Sequence, residues 1–395
     1  MSTADVIIVG GGPAGLSTAL FLVDKAPRLR ERILVLEKDR YPRDKVCAGA
    51  VGGRADLLLA QVGVCVEVPS TPINGVAFRA MGRTTIVREG SVGRVVRRSE
   101  FDHALARVAA ARGIRIVEGC RASGVAVTDS GVRVDSDLGS FFGQAVVGAD
   151  GVSSVVRRTL HFAPFRYRAE ALEVDTDPVA GDLPRDLLAF DLSNRSLPGY
   201  YWDFPTLLGG KSMWCRGVYL LKRDRFRRVE IQEVLEAELN ARGLRLSGHH
   251  KKRFAERGFD PGATLSKPRA LLVGESAGID PVTGEGIAQA VQYGRAAGWY
   301  LARKLAENDL AFADWSSEVN RSIIGRDLLV RSLGVKLFYG PPRSGVEHFL
   351  HQTPEFVRLG LQHFGGKRWS RAVLARAAWG AMGHTISWLA GRTPS

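Results

Sequence analysis

The chain begins with a hydrophobic run, Val6-Ile7-Ile8-Val9, that passes directly into Gly10-Gly11-Gly12-Pro13-Ala14-Gly15. Gly10, Gly12 and Gly15 have G-x-G-x-x-G spacing, and a second apolar run, Ile33 to Leu36, closes on Glu37 and Lys38. A strand that ends in such a turn and opens a helix leaves few folds available. The first glycine permits the tight turn, the second lets the backbone approach a pyrophosphate, and the third lets the helix pack on the strand. The free N–H groups around Pro13 and Ala14, at the helix start, then face the phosphates. Glu37 is placed to accept the hydroxyls of an adenosine ribose, and an acid there disfavours a 2′-phosphate. Glycines also occur in ordinary turns. Here strand, turn, small-residue helix (Ala14 to Leu22), second strand and terminal acid follow in order, which favours a dinucleotide.

The 395 residues can bury a large core, and their length suits two or three structural regions. A content of 45% hydrophobic and 24% charged residues is that of a soluble globular protein. No signal segment is expected, because the first apolar run is the strand itself, and charges interrupt the later runs before spanning length. Cys47, Cys65, Cys120 and Cys215 are scattered without CxxC or metal-ligand spacing. A cytoplasmic protein without a metal site is the expectation. The net charge of +14 suits nucleic acid, an anionic membrane, acidic small molecules or simply a solvated surface. Nothing resembles a nucleic-acid module, so no nucleic-acid partner is expected.

Along the chain, Arg98 to Ala111 reads as an amphipathic helix that starts Arg98-Ser99-Glu100-Phe101-Asp102. Short strands at 114–117, 125–127, 132–134 and 145–147 follow as a meander returning to the sheet. The region from about 165 is expected to open with mixed polar loops. It continues through a strand at Ser212 to Cys215 and a charged helix from Val229 to Asn240. Ala270 to Val273 reads as a fresh buried strand feeding another glycine-rich turn, and from about Thr283 the chain reads mostly helical.

Further segments carry a resemblance. Gly148-Ala149-Asp150-Gly151 precedes Ser153-Ser154-Val155-Val156-Arg157, and Gly274-Glu275-Ser276-Ala277-Gly278 precedes Pro281, Gly284, Glu285, Gly286 and Ile287. With Arg98 in RxxFD spacing and the N-terminal glycines, the chain resembles FAD-dependent oxidoreductases of the para-hydroxybenzoate-hydroxylase class. Within that class it is most similar to the geranylgeranyl reductase family. Tyr41-Pro42-Arg43-Asp44-Lys45-Val46-Cys47-Ala48-Gly49 resembles a flavin-adjacent K-x-C-(A/G)-G loop. Gly199-Tyr200-Tyr201-Trp202-Asp203-Phe204-Pro205 resembles the family's YxWxFP strand beside the isoalloxazine. The likeness covers residues 1 to about 300.

The resemblance implies an α/β plus α+β protein: a discontinuous Rossmann-like FAD-binding domain (1–66, 98–165, 266–300), interleaved with an antiparallel-sheet substrate domain (67–97, 166–265). A helical region, 301–395, completes it. It implies FAD with its ADP half on the first helix and the second glycine turn near the ribityl and pyrophosphate groups. The expected cofactor-binding residues are Gly10, Gly12, Pro13, Ala14, Gly15, Glu37, Lys38, Lys45, Ala48, Arg98, Asp150, Gly151, Gly274, Glu275, Gly284, Gly286 and Ile287. Glu275 stands where the family has Asp, so its geometry must differ. Flavin halogenases carry GWxWxIP, from which Tyr200 and Phe204 depart, and this speaks against halogenation.

Cys47, Tyr200 and Trp202 are the catalytic candidates. Beside Lys45, the Cys47 thiolate is expected to be favoured, and the residue can donate a proton or hold substrate; a lone cysteine is otherwise an inert packing residue. Tyr200, Trp202 and Phe204 share one face of a strand and either line an apolar pocket or pack the interface between domains, while Asp203 points away. Arg98 either reaches the cofactor or sits on the surface with Arg94 and Arg97. Asp150 and Arg157 are expected to secure the turn beside the flavin through backbone contacts and pairing. His249 and His250 read as solvent-facing. The tail from Phe356 has six Lys/Arg, no Asp or Glu, and Trp369, Trp379 and Trp388. It suits either a helix over the core or peripheral contact with a membrane.

Three functions compete. One is a reductase of carbon-carbon double bonds in an apolar, isoprenoid-like substrate, for which the Cys47 loop speaks. Another is a monooxygenase acting on an aromatic substrate through a flavin C4a-hydroperoxide. The last is a flavoprotein maturation partner of another protein. No separate nicotinamide-binding domain is apparent, so NAD(P)H visiting transiently or an electron-donor protein must supply the electrons.

Overall fold

The computed structural model describes residues 3–164, 166–222 and 229–367. Its described residues form two eight-stranded sheets. In the first, Thr3–Val9 pairs in parallel with Ile33–Glu37 on one side and Gly139–Gly148 on the other. Arg115–Glu118 extends the former side and Ala270–Leu272 the latter, again in parallel. The chain therefore steps outward on one side of the central strand, then crosses to the other. Ligands of open α/β sheets bind at such a reversal, outside the C-terminal ends of the strands. Val6, Ile7 and Ile8 are wholly buried. Both faces of this sheet are covered, so its strands read as continuous apolar runs rather than alternating ones.

Two helices stack on one another against this sheet. A Cβ on Gly294 would lie 2.4 Å from the Ser17 Cβ, and one on Gly298 would lie 2.7 Å from the Phe21 Cβ. Four residues along one helix thus match four along the other. Pro13–Lys25 and Ile287–Ala306 run the same way, with their N-termini toward the same end. There the glycine turns meet: a Cβ on Gly274 (φ +60°) would lie 2.6 Å from the Ala14 Cβ.

The second sheet runs in the order Lys252–Gly258, Tyr167–Thr176, Lys211–Lys222, Gly199–Leu208, Leu187–Asp191, Ser70–Ala80, Arg83–Val96, Ala50–Gly52. All neighbours are antiparallel except Leu187–Asp191 with Ser70–Ala80. An FAD-type domain is thus interleaved with a mixed, dominantly antiparallel one, followed by helices Trp315–Arg321, Ile323–Phe338, Arg343–Gln352 and Pro354–Phe364.

The expectation of polar loops from residue 165 is corrected by the ten-residue strand Tyr167–Thr176. Its Ala169 and Ala171 face one apolar cluster, and Leu172 and Val174 face another. The intervening acids hid the pattern because their charges are paired: Glu170 with Lys222 and Arg253, Asp175 with Arg97 and Lys252. Ala50–Gly52, from the first segment, pairs into the second sheet. The basic stretch after Lys222 and the tryptophans of the tail lie outside the described residues. No helix among the described residues is long and apolar enough to cross a membrane.

Candidate functional site: a glycine-lined cleft between two sheets

The glycines of the first turn are not equivalent. A Cβ on Gly10 (φ +107°) would lie 2.4 Å from the Ala149 carbonyl oxygen, and one on Gly15 would lie 2.0 Å from that of Gly10. Both positions are closed by backbone. At Gly12, by contrast, the nearest atoms are guanidinium nitrogens of Arg43 at 3.8 Å and Arg98 at 4.0 Å. Gly12 precedes the helix, whose first turn carries no acid. An open position between two guanidiniums, at a helix N-terminus, suits a pyrophosphate.

Glu37, 4% exposed, accepts the Gly11 N–H at 2.9 Å and the Asp39 N–H at 3.0 Å. Its Oε2 also lies 3.3 Å from Arg43 Nε. A carboxylate has about four acceptor positions, so capacity remains for a ribose hydroxyl. Asp102, wholly buried, orients both guanidiniums: Arg98 binds it in a fork at 2.7 and 2.8 Å, and Arg43 reaches it at 3.1 Å. Burial works against the Arg98 charge, but Asp102 overrides it and holds the guanidinium above its ordinary pKa. Arg98 is thus a half-hidden cleft residue rather than a surface one. Arg43 is the residue the sequence reading left out. Its only signal is its place in the Cys47 loop.

The second turn closes the cleft from the other side. Asp150 Oδ2 accepts the Val155 N–H at 2.6 Å and the Val156 N–H at 3.2 Å, starting the helix there, while its Oδ1 is buried without a hydrogen-bond partner among the described residues. Arg157 donates to the carbonyls of Ser276 and Ala163. Glu275 also has a buried oxygen with no hydrogen-bond partner among the described residues, and its other oxygen lies 3.5 Å from where a Cβ of Gly151 would be. Burial pushes both carboxyls above their ordinary range, with Lys45 and Arg98 opposing the rise at Glu275. Ile287 is buried at its helix start, and a Cβ on Gly286 would meet Ile279 at 3.1 Å. Lys38 stands apart, with its side chain 57% exposed beside Asp39.

Residues 280–285 are clamped on every side. Asp280 accepts the N–H groups of Val282 and Thr283. The carbonyls of Pro281, Val282 and Thr283 each accept a tyrosine hydroxyl, from Tyr219, Tyr339 and Tyr200 respectively. Arg331 bridges Asp280, Glu285 and Asp327, and Arg54 reaches Glu285 and Asp327. Within this frame Gly284 (φ +67°) sits over Glu256, whose Oε2 lies 2.8 Å from where a Cβ would be. That oxygen is buried without a hydrogen-bond partner among the described residues, and burial, together with Glu275, pushes the Glu256 carboxyl well above its ordinary range.

The third side is the Cys47 loop. Cys47 donates its N–H to Glu173 of the second sheet at 3.1 Å, and its sulfur accepts the Gly49 N–H at 3.4 Å. The Lys45 ammonium lies 3.2 Å from the centre of the Phe254 ring. Burial lowers the Lys45 pKa and raises that of Cys47 despite the opposing charge of Arg98. The expected thiolate is therefore corrected: the nearby cations do not offset the loss of water, and the thiol keeps its proton. Ala48 packs on the apolar cluster that contains Tyr200, Trp202 and Phe204. These three rings contact one another in sequence along one face, and Phe190 closes on Tyr200 and Phe204 edge-on. On the opposite face Asp203 binds Tyr201, Arg216 and Arg242. His249 and His250 are far less buried than these groups, and no cluster able to hold a metal occurs among the described residues.

Comparison with known proteins finds likeness in both sequence and fold. A family model described as an FAD binding domain matches residues 3–188. Digeranylgeranylglycerophospholipid reductase of Methanosarcina mazei is 27% identical over 389 residues, covering 90% of each chain. A geranylgeranyl bacteriochlorophyll reductase-like protein from Thermoplasma acidophilum has a similar structure, with a TM-score of 0.68, 20% identity, and 95% and 96% of the two chains covered. A flavin-dependent brominase shares the fold at a TM-score of 0.70 and 17% identity, over 99% of this chain and all of that one. The chain is an FAD-dependent oxidoreductase, similar in sequence to digeranylgeranylglycerophospholipid reductases and sharing its fold with a geranylgeranyl reductase-like protein and a flavin-dependent brominase.

Proposed function

We propose that the protein reduces carbon-carbon double bonds of an apolar, isoprenoid-like substrate. The observation that carries this reading is the protonated Cys47 thiol, on a loop fastened to the sheet whose aromatic wall is Tyr200, Trp202 and Phe204. FAD, when bound, supplies the hydride. Arg43, Arg98 and the Gly12 turn hold its pyrophosphate, and Glu37 holds its ribose. The aromatic wall binds the prenyl chain and excludes water. Cys47 supplies the proton to the carbon next to the one that receives hydride, and NAD(P)H or a redox protein restores the electrons. The name of the Methanosarcina relative supports a prenyl-lipid substrate. We place the enzyme in the cytoplasm.

The fold shared with a brominase favours a second reading, oxygen-dependent modification of an aromatic ring held on the same wall. One experiment separates the two. Reduced enzyme, mixed without oxygen with a polyprenyl alcohol or lipid, is expected to reoxidise and yield product two mass units heavier per turnover. No anaerobic reoxidation, combined with oxygen-dependent consumption of an aromatic compound, would replace the reductase reading.

A further inference from the structure

The helix Ile323–Phe338 carries apolar residues on both its inner and its outer side, yet among the described residues only the inner side is covered. Its inner side carries Ile324, Leu328 and Val335, all buried. From the same side Arg331 reaches Asp280 and Glu285, and Ser332 donates to the Phe259 carbonyl. On the outer side Ile323 is 57% exposed, Val330 68%, Leu333 62% and Leu337 49%. At 100° per residue these four fall within one quarter of the helix circumference, which makes a continuous stripe rather than scattered exposure. A helix with apolar residues on both sides is ordinarily buried on both.

The exposed charges that the helix itself carries have one sign. Arg326 lies within the same arc, Arg321 precedes the helix, and Lys336 lies about 60° outside the arc, all three exposed. The helix has one acid, Asp327, which points inward to Arg54, Arg331 and His363. We infer that this face docks on an anionic lipid bilayer, with the four apolar side chains in the acyl boundary and the cations at the headgroups. A protein partner matched to this surface would need acids of its own, and a second copy would bring Arg321, Arg326 and Lys336 against their own kind. The docked face stands one helix diameter, about 10 Å, from the 280–285 turn of the cleft. A substrate whose prenyl tail lies in the bilayer is then held close to that turn. This use rests on the reductase reading, whereas the docking itself does not.

The test is co-sedimentation of full-length, FAD-loaded protein with vesicles of phosphatidylcholine, with and without 30% phosphatidylglycerol. The protein is expected to pellet with the anionic vesicles at least tenfold more strongly than with neutral ones, and less so at high salt. Val330→Glu with Leu333→Glu should abolish pelleting while flavin content and melting temperature stay unchanged. Arg326→Glu with Lys336→Glu should remove the preference for anionic lipid. Protein that stays in solution with anionic vesicles, or a Val330/Leu333 variant that pellets like the parent, overturns the proposal. So does a concentration-dependent dimer, seen by light scattering, that the same variant dissociates, because the face would then belong to a second copy. Turnover of a short, soluble prenyl substrate is measured in parallel. Its loss would count against the reductase reading, and its persistence in the vesicle-blind variant keeps the two questions apart.

Discussion

Glu173 accepts the backbone N–H of Cys47 across 126 positions of sequence, and this bond ties the flavin-side loop to the substrate sheet. Its second oxygen accepts the Cys215 thiol at 3.5 Å, while the residue is 3% exposed. The loop's placement over the aromatic wall therefore depends on a carboxyl with almost no water, and this makes the loop sensitive to pH.

Burial pushes Glu173 up to about 7 from its ordinary 4.5, against the pull of Lys252. Between those two values the folded chain holds a proton that the unfolded chain has released. Stability is full below about pH 4.5 and is lost as pH rises toward 7, by about 3 kcal/mol in all. Burial pushes Glu256 and Glu275 the same way, so the parent protein alone does not isolate the effect. Glu173→Gln does. Relative to the parent, the glutamine variant should gain about 3 kcal/mol between pH 4.5 and pH 8 in urea titrations. A stability difference that does not vary with pH would show that Glu173 titrates normally.

Gly12→Val should leave the fold intact and abolish flavin retention. Its Cβ enters open space, φ at Gly12 is an ordinary −82°, and the side chain occupies the place of the pyrophosphate. The apo form should melt within about 2 °C of the parent apo form, as expected for a change of under roughly 0.5 kcal/mol. Gly15→Ala is the contrasting control, since its Cβ would lie 2.0 Å from a carbonyl oxygen and should prevent folding. A yellow Gly12→Val protein with full FAD content would remove this turn from the cofactor site.

The sequence exposes those parts of the site that are local. The glycine turn, the acid at the end of the second strand and the alternation of Tyr200, Trp202 and Phe204 each lie within a few residues and obey a backbone period. Arg54 and Arg331 carry no such signal. Arg54 meets Glu285 across 231 positions and Asp327 across 273, and only the packing of two helices on the 280–285 turn brings them together. Glu173 and Glu256 sit on strands whose alternating charges look exposed until neighbouring strands cover them. The protonation of Cys47 was equally hidden, because Lys45 beside it suggests a thiolate and the opposing loss of water is a property of the fold.

Arg331→Met should loosen the turn that closes the cleft. The guanidinium lies 2.8 Å from Glu285 and reaches Asp280, whose side chain is wholly buried. Removing one partner of a buried ion pair typically costs about 3–5 kcal/mol because the other charge stays uncompensated. The variant should melt several degrees lower and release FAD faster. Tyr200→Phe, which removes one hydroxyl from the Thr283 carbonyl, should cost only about 1 kcal/mol. Equal melting of parent and Arg331→Met would mean that the three tyrosines and Arg54 hold the turn without Arg331.

Cys47→Ala tests the proposed chemistry most directly. The thiol is held protonated by burial, its sulfur is anchored by the Gly49 N–H, and Ala48 beside it packs against the aromatic cluster. Alanine keeps the backbone bond to Glu173, so folding and FAD content should stay near normal. If the thiol supplies the proton, the anaerobic single-turnover rate with a saturating polyprenyl substrate should fall by about 10²-fold or more, in line with a lost general acid. Cys47→Ser should recover part of that rate, because a hydroxyl can still donate a hydrogen bond. With Glu173 replaced by glutamine, the rate should be flat through neutral pH, since the thiol itself titrates above its ordinary value of 9.0. An unchanged rate in the alanine variant would leave Cys47 a packing residue, and the aromatic wall would then be read as the floor of an oxygenase site that requires no thiol.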